Sequence, residues 1–141
     1  MSTENSLSDS FKTPLEMFYH WESVNPEKVW LRQPSDDGCT DYTWSQVGKE
    51  CRAIAAALTN MGLNAGDKVG IYANNCAHRV MADVAIMMAG MTSVPIYPSM
   101  PTDKIQYVAE HSEMKALFSD FAALNCDNVR EALPGVSLKR R

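Results

Sequence analysis

Long apolar runs are what this 141-residue chain most conspicuously lacks. Its longest, Val84 to Met91, spans eight residues between Asp83 and Thr92. A membrane-spanning helix needs about 20 apolar residues, so this run reads as a buried core segment. The polar start (Met1, Ser2, Thr3, Glu4, Asn5, Ser6) has neither the basic nor the apolar region of a secretory signal. Basic excess is missing too: 13 Lys and Arg stand against 17 Asp and Glu, a net charge of −4. Nucleic-acid binding needs a basic face for phosphates, so that class of partner is excluded. The four cysteines, Cys39, Cys51, Cys76 and Cys126, include no C-x-x-C pair, and no histidine stands beside them at zinc spacing. They read as reduced thiols of a cytoplasmic protein. The seven glycines (38, 48, 62, 66, 70, 90 and 135) build neither G-x-G-x-x-G nor a P-loop, and Gly66-Asp67-Lys68-Val69-Gly70 reads as a turn entering a strand.

What is present is the ordinary material of a globular domain, with 45% hydrophobic and 21% charged residues. Residues 1–12, rich in Ser, Thr and Glu, read as a disordered lead-in. Pro14 opens a short amphipathic helix, roughly Leu15 to Glu22, broken at Asn25-Pro26. Val29 to Leu31 and Thr40 to Thr43 read as a hairpin about Ser35-Asp36-Asp37-Gly38, since Asp-Gly tolerates positive φ. Thr43 with Gln46 is a capping box for a helix whose buried face carries Val47, Cys51, Ile54, Ala55, Leu58 and Met61. Gly62 gives that helix a left-handed stop.

Strands and helices then alternate. Lys68 to Ala73 is a strand with Val69 and Ile71 on one side, and Asn74-Asn75 offers a cap for a helix from Cys76 to about Met91. That helix is apolar on more than one face, so it is expected to pack on two sides. Ser93 to Tyr97 is the next strand, with Pro95 disturbing its ladder. Thr102 is expected to cap a helix that turns Ile105, Val108 and Ala109 inward, and Ala116 to Phe118 makes a short strand. A helix over about Asp120 to Leu133, a Pro134-Gly135 turn and a strand start at Val136-Ser137-Leu138 complete the pattern. The reading is α/β: a hairpin, then βαβαβα units of a parallel sheet covered by helices.

Open parallel sheets bind ligands beyond the carboxyl ends of their strands, here Asn74-Asn75-Cys76, Pro98–Pro101 and Ser119-Asp120. No carboxylate pair, Ser-His-Asp set or metal cluster assembles there. His78 reads as an exposed or satisfied histidine, His111 suits the end of a helix, and His20 sits among aromatics. Met81, Met87, Met88 and Met91 read as core rather than as a pocket for a fatty chain.

From Tyr42 to Asp120 the chain resembles the amino-terminal part of the adenylate-forming acyl-CoA synthetases. The resemblance rests on Tyr42-Thr43-Trp44-Ser45-Gln46-Val47, on Leu63 with Ala65-Gly66-Asp67-Lys68-Val69, and on Tyr72-Ala73-Asn74-Asn75-Cys76-Ala77-His78. Met81-Ala82-Asp83-Val84-Ala85-Ile86, Ala89-Gly90 with Ser93-Val94-Pro95-Ile96-Tyr97-Pro98, and Glu110-His111-Ser112-Glu113 with Lys115-Ala116-Leu117-Phe118 continue it in order. The Asn-Cys-Ala-His helix and Val-Pro-Ile-Tyr-Pro strand are most similar to bacterial long-chain-fatty-acid–CoA ligases, although Arg79 stands where an aromatic residue is expected.

The resemblance implies that residues 13–141 are a partial AMP-binding domain, truncated before the phosphate-binding loop. The whole family member would use Mg-ATP, coenzyme A and a fatty acid, forming acyl-CoA through an acyl-adenylate. Peripheral membrane association is compatible with such a substrate. The family's Ser/Thr/Gly-rich loop, Tyr-Gly-x-Thr-Glu segment, later Gly-Asp segment and catalytic lysine do not occur in this sequence. No catalytic, cofactor-binding or metal-binding residue is therefore assigned, and the chain alone is expected to be inactive. With half a dozen apolar side chains uncovered, at roughly 1.5–3 kcal/mol each, it is also expected to be only marginally stable. The alternatives are a small non-catalytic α/β binding module, or a fragment of a ligase acting on acetate, aryl acids or amino acids.

Overall fold

The computed structural model describes residues 11–119. The expected helix over Asp120 to Leu133, the strand start at Val136 and most of the lead-in lie outside the described residues. Two compact units divide between Lys49 and Glu50.

The first unit starts with helix α1 (Pro14–Val24), where the Thr13 side chain accepts from the Glu16 N–H and proline occupies the first turn. Strands β1 (Val29–Ser35) and β2 (Gly38–Thr43) form the antiparallel hairpin. The left-handed demand of the turn falls on Gly38 (φ 137°), while Asp36 and Asp37 keep negative φ. A bulge makes Trp30 the extra residue opposite the Tyr42–Thr43 step. Trp30 lies flat on Trp44 at 4.4 Å between ring centres and 11° between planes, with Phe18 at 5.3 and 5.6 Å from them. These three rings are the unit's apolar centre, and Phe18 is buried.

Helix α2 (Trp44–Asn60) begins in this unit and continues into the second. Its capping box forms as expected: Gln46 N–H donates to Thr43 Oγ1 (3.2 Å) and Thr43 N–H donates to Gln46 Oε1 (2.9 Å). The Trp44 and Ser45 N–H groups donate to the Lys28 and Pro26 carbonyls, so the three leading donors are all satisfied. A cap of this kind contributes about 1 kcal/mol. Along the expected face Val47, Cys51 and Leu58 are buried, but Met61 is exposed. The helix ends before Met61, where Gly62 (φ 89°) turns the chain, with Gly62 N–H on Thr59 O and Leu63 N–H on Leu58 O. Leu63, not Met61, enters the core.

The second unit holds strand β3 (Lys68–Tyr72), helix α3 (Ala77–Met88), strand β4 (Thr92–Ile96), helix α4 (Thr102–Ser112) and strand β5 (Ala116–Ser119). The strands are parallel in the order β4-β3-β5. Val69, Ile71 and Ala73 face α3 and the end of α2 through Ala82, Ile86, Leu58 and Leu63. Tyr72 and Ile96 face α4 through Ile105, together with Met114. Val69 and Ile71 share one side of β3 as expected, and the strand is buried on both faces because helices cover the sheet above and below.

Four smaller expectations are corrected. The N-cap of α3 is Cys76, without a side-chain bond, so Asn74-Asn75 does not cap it. The N-cap of α4 is Pro101, and Thr102 is already the first helical residue. The β3–β4 ladder runs through Pro95, paired with Ile71, because β4 lies at the edge of the described sheet. Finally, α3 ends at Met88, three residues short of Met91. It does carry buried residues well around its circumference (Met81, Ala82, Val84, Ala85 and Ile86), as its apolar pattern requires.

The amino ends of the strands are tied together electrostatically. The Asn64 N–H donates to Asp67 Oδ2 (2.7 Å) and Lys115 Nζ stands 2.7 Å from Asp67 Oδ1. The Asn64 N–H first, and Lys115 second, hold the Asp67 carboxyl below its ordinary 3.8. The folded state therefore binds this proton less readily than the unfolded chain does. Its stabilisation is present above about pH 4 and is lost as pH falls through the lowered folded value. The melting-temperature gap between the native chain and Asp67→Asn should be widest near about pH 6 and shrink in acid. An acid-insensitive gap would assign the effect to something other than this carboxylate.

Candidate functional site

Strands β3 and β4 are neighbours, yet the helices that follow them lie on opposite faces of the sheet. Their chain order and positions require this, because crossovers of one hand that run in opposite directions across a sheet fall on opposite faces. The loops at 73–76 and 97–101 therefore lead away from neighbouring strand ends to helices on opposite faces. Both lie at the carboxyl ends of the strands, the side on which open α/β sheets take ligands.

Two side-chain connections join the end of β3 and the start of α3 to the 97–101 loop. Tyr72 OH donates to the Pro98 carbonyl at 3.5 Å. Arg79, in the first turn of α3, donates from Nη1 to Ala73 O at 2.5 Å, and its guanidinium carbon lies 5.4 Å from the centre of the Tyr97 ring. Arg79 is half-buried and Tyr97 is 57% exposed. Asn74, Asn75 and His78 are exposed at the same ends of the strands, and Cys76 is partly buried. Of the sequence candidates, the structure brings the 73–76 and 97–101 loops together. Ser119, the end of β5, pairs with Tyr72 of β3, and Asp120 lies outside the described residues.

The other candidates fall elsewhere. His111 stacks on Tyr107 along α4 (5.3 Å, 8°), and His20 lies between Phe11 and Trp21 at 5.0 and 5.2 Å. Met81 and Met91 are buried in the core, as expected. Cys39, Cys51 and Cys76 are free thiols, and Cys51 donates to the Met81 carbonyl at 3.3 Å. Among the described residues no three His, Cys, Asp or Glu side chains gather where they could hold a metal ion. Nor, among those residues, is any helix long and apolar enough to cross a membrane.

The described glycines with positive φ do not build a phosphate cradle at the carboxyl ends of the strands. Gly38 is in the hairpin turn, while Gly62, Gly66 and Gly90 lie in the connections that lead into β3 and β4. The Gly66 N–H donates to Gly90 O, joining those two connections at the opposite end of the strands. The described residues therefore do not fit the triphosphate or its magnesium. Sequence reasoning passed over the Arg79–Tyr97 contact. Its signal was an arginine one turn after a strand, in a chain whose next strand also ends on an aromatic residue.

Alternating strands and helices, a parallel sheet and helices on both of its faces define a doubly wound α/β arrangement. Residues 18–140 match the family of AMP-binding enzymes, and the chain belongs to that adenylate-forming family. It resembles bacterial long-chain-fatty-acid–CoA ligases. One such relative, the ligase FadD15 of Mycobacterium bovis, is 30% identical over 104 residues, covering 74% of this chain and 17% of its own length. Fatty acyl-CoA synthetase A of Dictyostelium discoideum is 33% identical over 102 residues, 70% of this chain and 15% of that protein. Among solved structures, Klebsiella oxytoca NpsA in complex with 3-hydroxyanthranilyl-AMSN has a TM-score of 0.67 at 26% identity, covering 74% of this chain and 21% of NpsA. The matched stretch is thus between about one seventh and one fifth of these relatives.

Proposed function

We propose that this chain is the scaffold-bearing amino-terminal segment, residues 13–141, of a long-chain fatty acid–CoA ligase that works in the cytoplasm. The complete enzyme would join a fatty acid to coenzyme A at the expense of ATP, releasing AMP and diphosphate by way of an acyl-adenylate. The observation that carries this reading is the family match over residues 18–140, joined to relatives whose names state fatty acyl substrates. The contribution of the segment is positional. It supplies a parallel sheet whose central strand β3 is buried on both faces. The charge-neutralising groups that adenylation demands, donors and a metal for the phosphates, would come from other parts of the enzyme. A ligase for aryl carboxylates is the second reading, favoured by the likeness to NpsA.

A chimera tests the proposal. Residues 18–140 of this chain replace the matching segment of the M. bovis ligase, and hexadecanoyl-CoA formation is measured beside benzoyl-CoA formation. Retained hexadecanoate turnover is expected. A folded chimera that forms no acyl-CoA would contradict the scaffold role, and one that prefers benzoate would move the assignment to aryl acids.

A further inference from the structure

We propose that Arg79 is a positioning residue: a cationic strap that fixes the 97–101 loop to the end of β3. The inference rests on geometry and stands whether or not the proposed ligase activity does. Arg79 is anchored on one side, because its Nη1 holds the Ala73 carbonyl at 2.5 Å, at the exit of the central strand. On the other side its guanidinium lies 5.4 Å from the centre of the Tyr97 ring. That ring is 57% exposed, so burial does little to hold it.

The backbone ladder between β3 and β4 ends at the Tyr72–Ile96 pair. Beyond it the two chains diverge toward opposite faces of the sheet, α3 on one and α4 on the other. Past that point the Tyr72 hydroxyl meets Pro98 O at 3.5 Å, near the outer limit of a hydrogen bond. The planar guanidinium can satisfy both sides at once, with an in-plane N–H for the carbonyl and its flat face for the ring. The loop itself is closed by the Met100 N–H on Tyr97 O (3.0 Å), so its integrity can be read from the Met100 amide.

A cation–π contact at an exposed site corresponds to about a two- to fivefold change in an equilibrium. Native-state hydrogen exchange on the whole chain is the test. Arg79→Ala should speed exchange at the Met100 amide about two- to fivefold and leave the Val69 and Ile71 amides unchanged. Arg79→Met, which keeps length but not charge, should behave like Arg79→Ala, and Arg79→Lys should recover part of the protection. Tyr97→Leu should reproduce the Arg79→Ala effect, and the double variant should add nothing further. Full protection in Arg79→Met would show that bulk rather than charge holds the loop. Additive effects of Arg79→Ala and Tyr97→Leu would show that the two groups act separately. Either result overturns the strap. Because Tyr97 is a surface residue, the Tyr97→Leu arm reads out even if substitutions at Arg79 perturb folding.

Discussion

Ile86→Ala is expected to destabilise the chain by about 2–5 kcal/mol, a large share of what holds a domain of this size folded. Ile86 has no exposed surface and sits in the cluster formed by Leu58, Leu63, Val69, Ile71, Ala82, Met91 and Ala116. That cluster joins the end of α2, the middle of α3 and one face of the sheet. Truncation there removes apolar contact and leaves a cavity that the close-packed strands cannot collapse to fill. Against a typical net stability of about 5–15 kcal/mol, such a loss removes most of the margin only of a chain at the lower end of that range. A urea titration followed by far-ultraviolet circular dichroism measures it. Tyr107→Ala is the comparison, since Tyr107 is 60% exposed and its loss should change stability by no more than about 0.5 kcal/mol. An Ile86→Ala midpoint equal to that of Tyr107→Ala would mean that this core does not hold the fold together.

Gly70→Val runs against simple propensity and is expected to be destabilising by about 1–3 kcal/mol. Valine is the better strand residue, by up to about 1 kcal/mol on an open pleated surface. Gly70 is not on an open surface. It lies in the central strand between Val94 and Leu117, and a Cβ there would stand 2.7 Å from both Leu117 Cδ1 and Met114 Sδ. Both contacts are side-chain atoms and can retreat, but only into the packed layer formed with α4. The same titration decides the sign, and Leu117→Ala in the Gly70→Val background should recover part of the loss by vacating that space. A Gly70→Val chain more stable than the native one would contradict the packing described for this face.

These two residues also mark how far the sequence could be read. The local features were legible: the Thr43–Gln46 capping box, the Gly62 stop and the order of strands and helices each depend on a few neighbouring residues. The glycine at 70 carried no such signal, because its reason lies in Met114 and Leu117, which only the β3–β5 pairing brings near. The placement of β3 between β4 and β5 is likewise a long-range property, which no single segment displays. Helix ends misled by one to three residues where cap chemistry was ambiguous. Thr102 has the side chain of a cap, but Pro101 already has the extended backbone that the cap position needs. Met61 keeps helical spacing, but the helix has stopped before it.

The candidate site was legible as a place and not as a set of groups. Parallel strands with a helix after each direct attention to the strand ends, and two of the three loops named from sequence, 74–76 and 98–101, lie together there. The Arg79–Tyr97 contact depends on the β3–β4 pairing, which brings the two segments near and cannot be seen in either alone.

The central claim is that this chain carries the adenylate-forming scaffold while the adenylation chemistry resides outside it. Carboxylate-dependent ATP–pyrophosphate exchange by the purified 141-residue protein, with Mg-ATP and hexadecanoate, tests this most directly. The expected rate is that of a protein-free blank. Exchange that depends on both the carboxylate and the chain would contradict the claim.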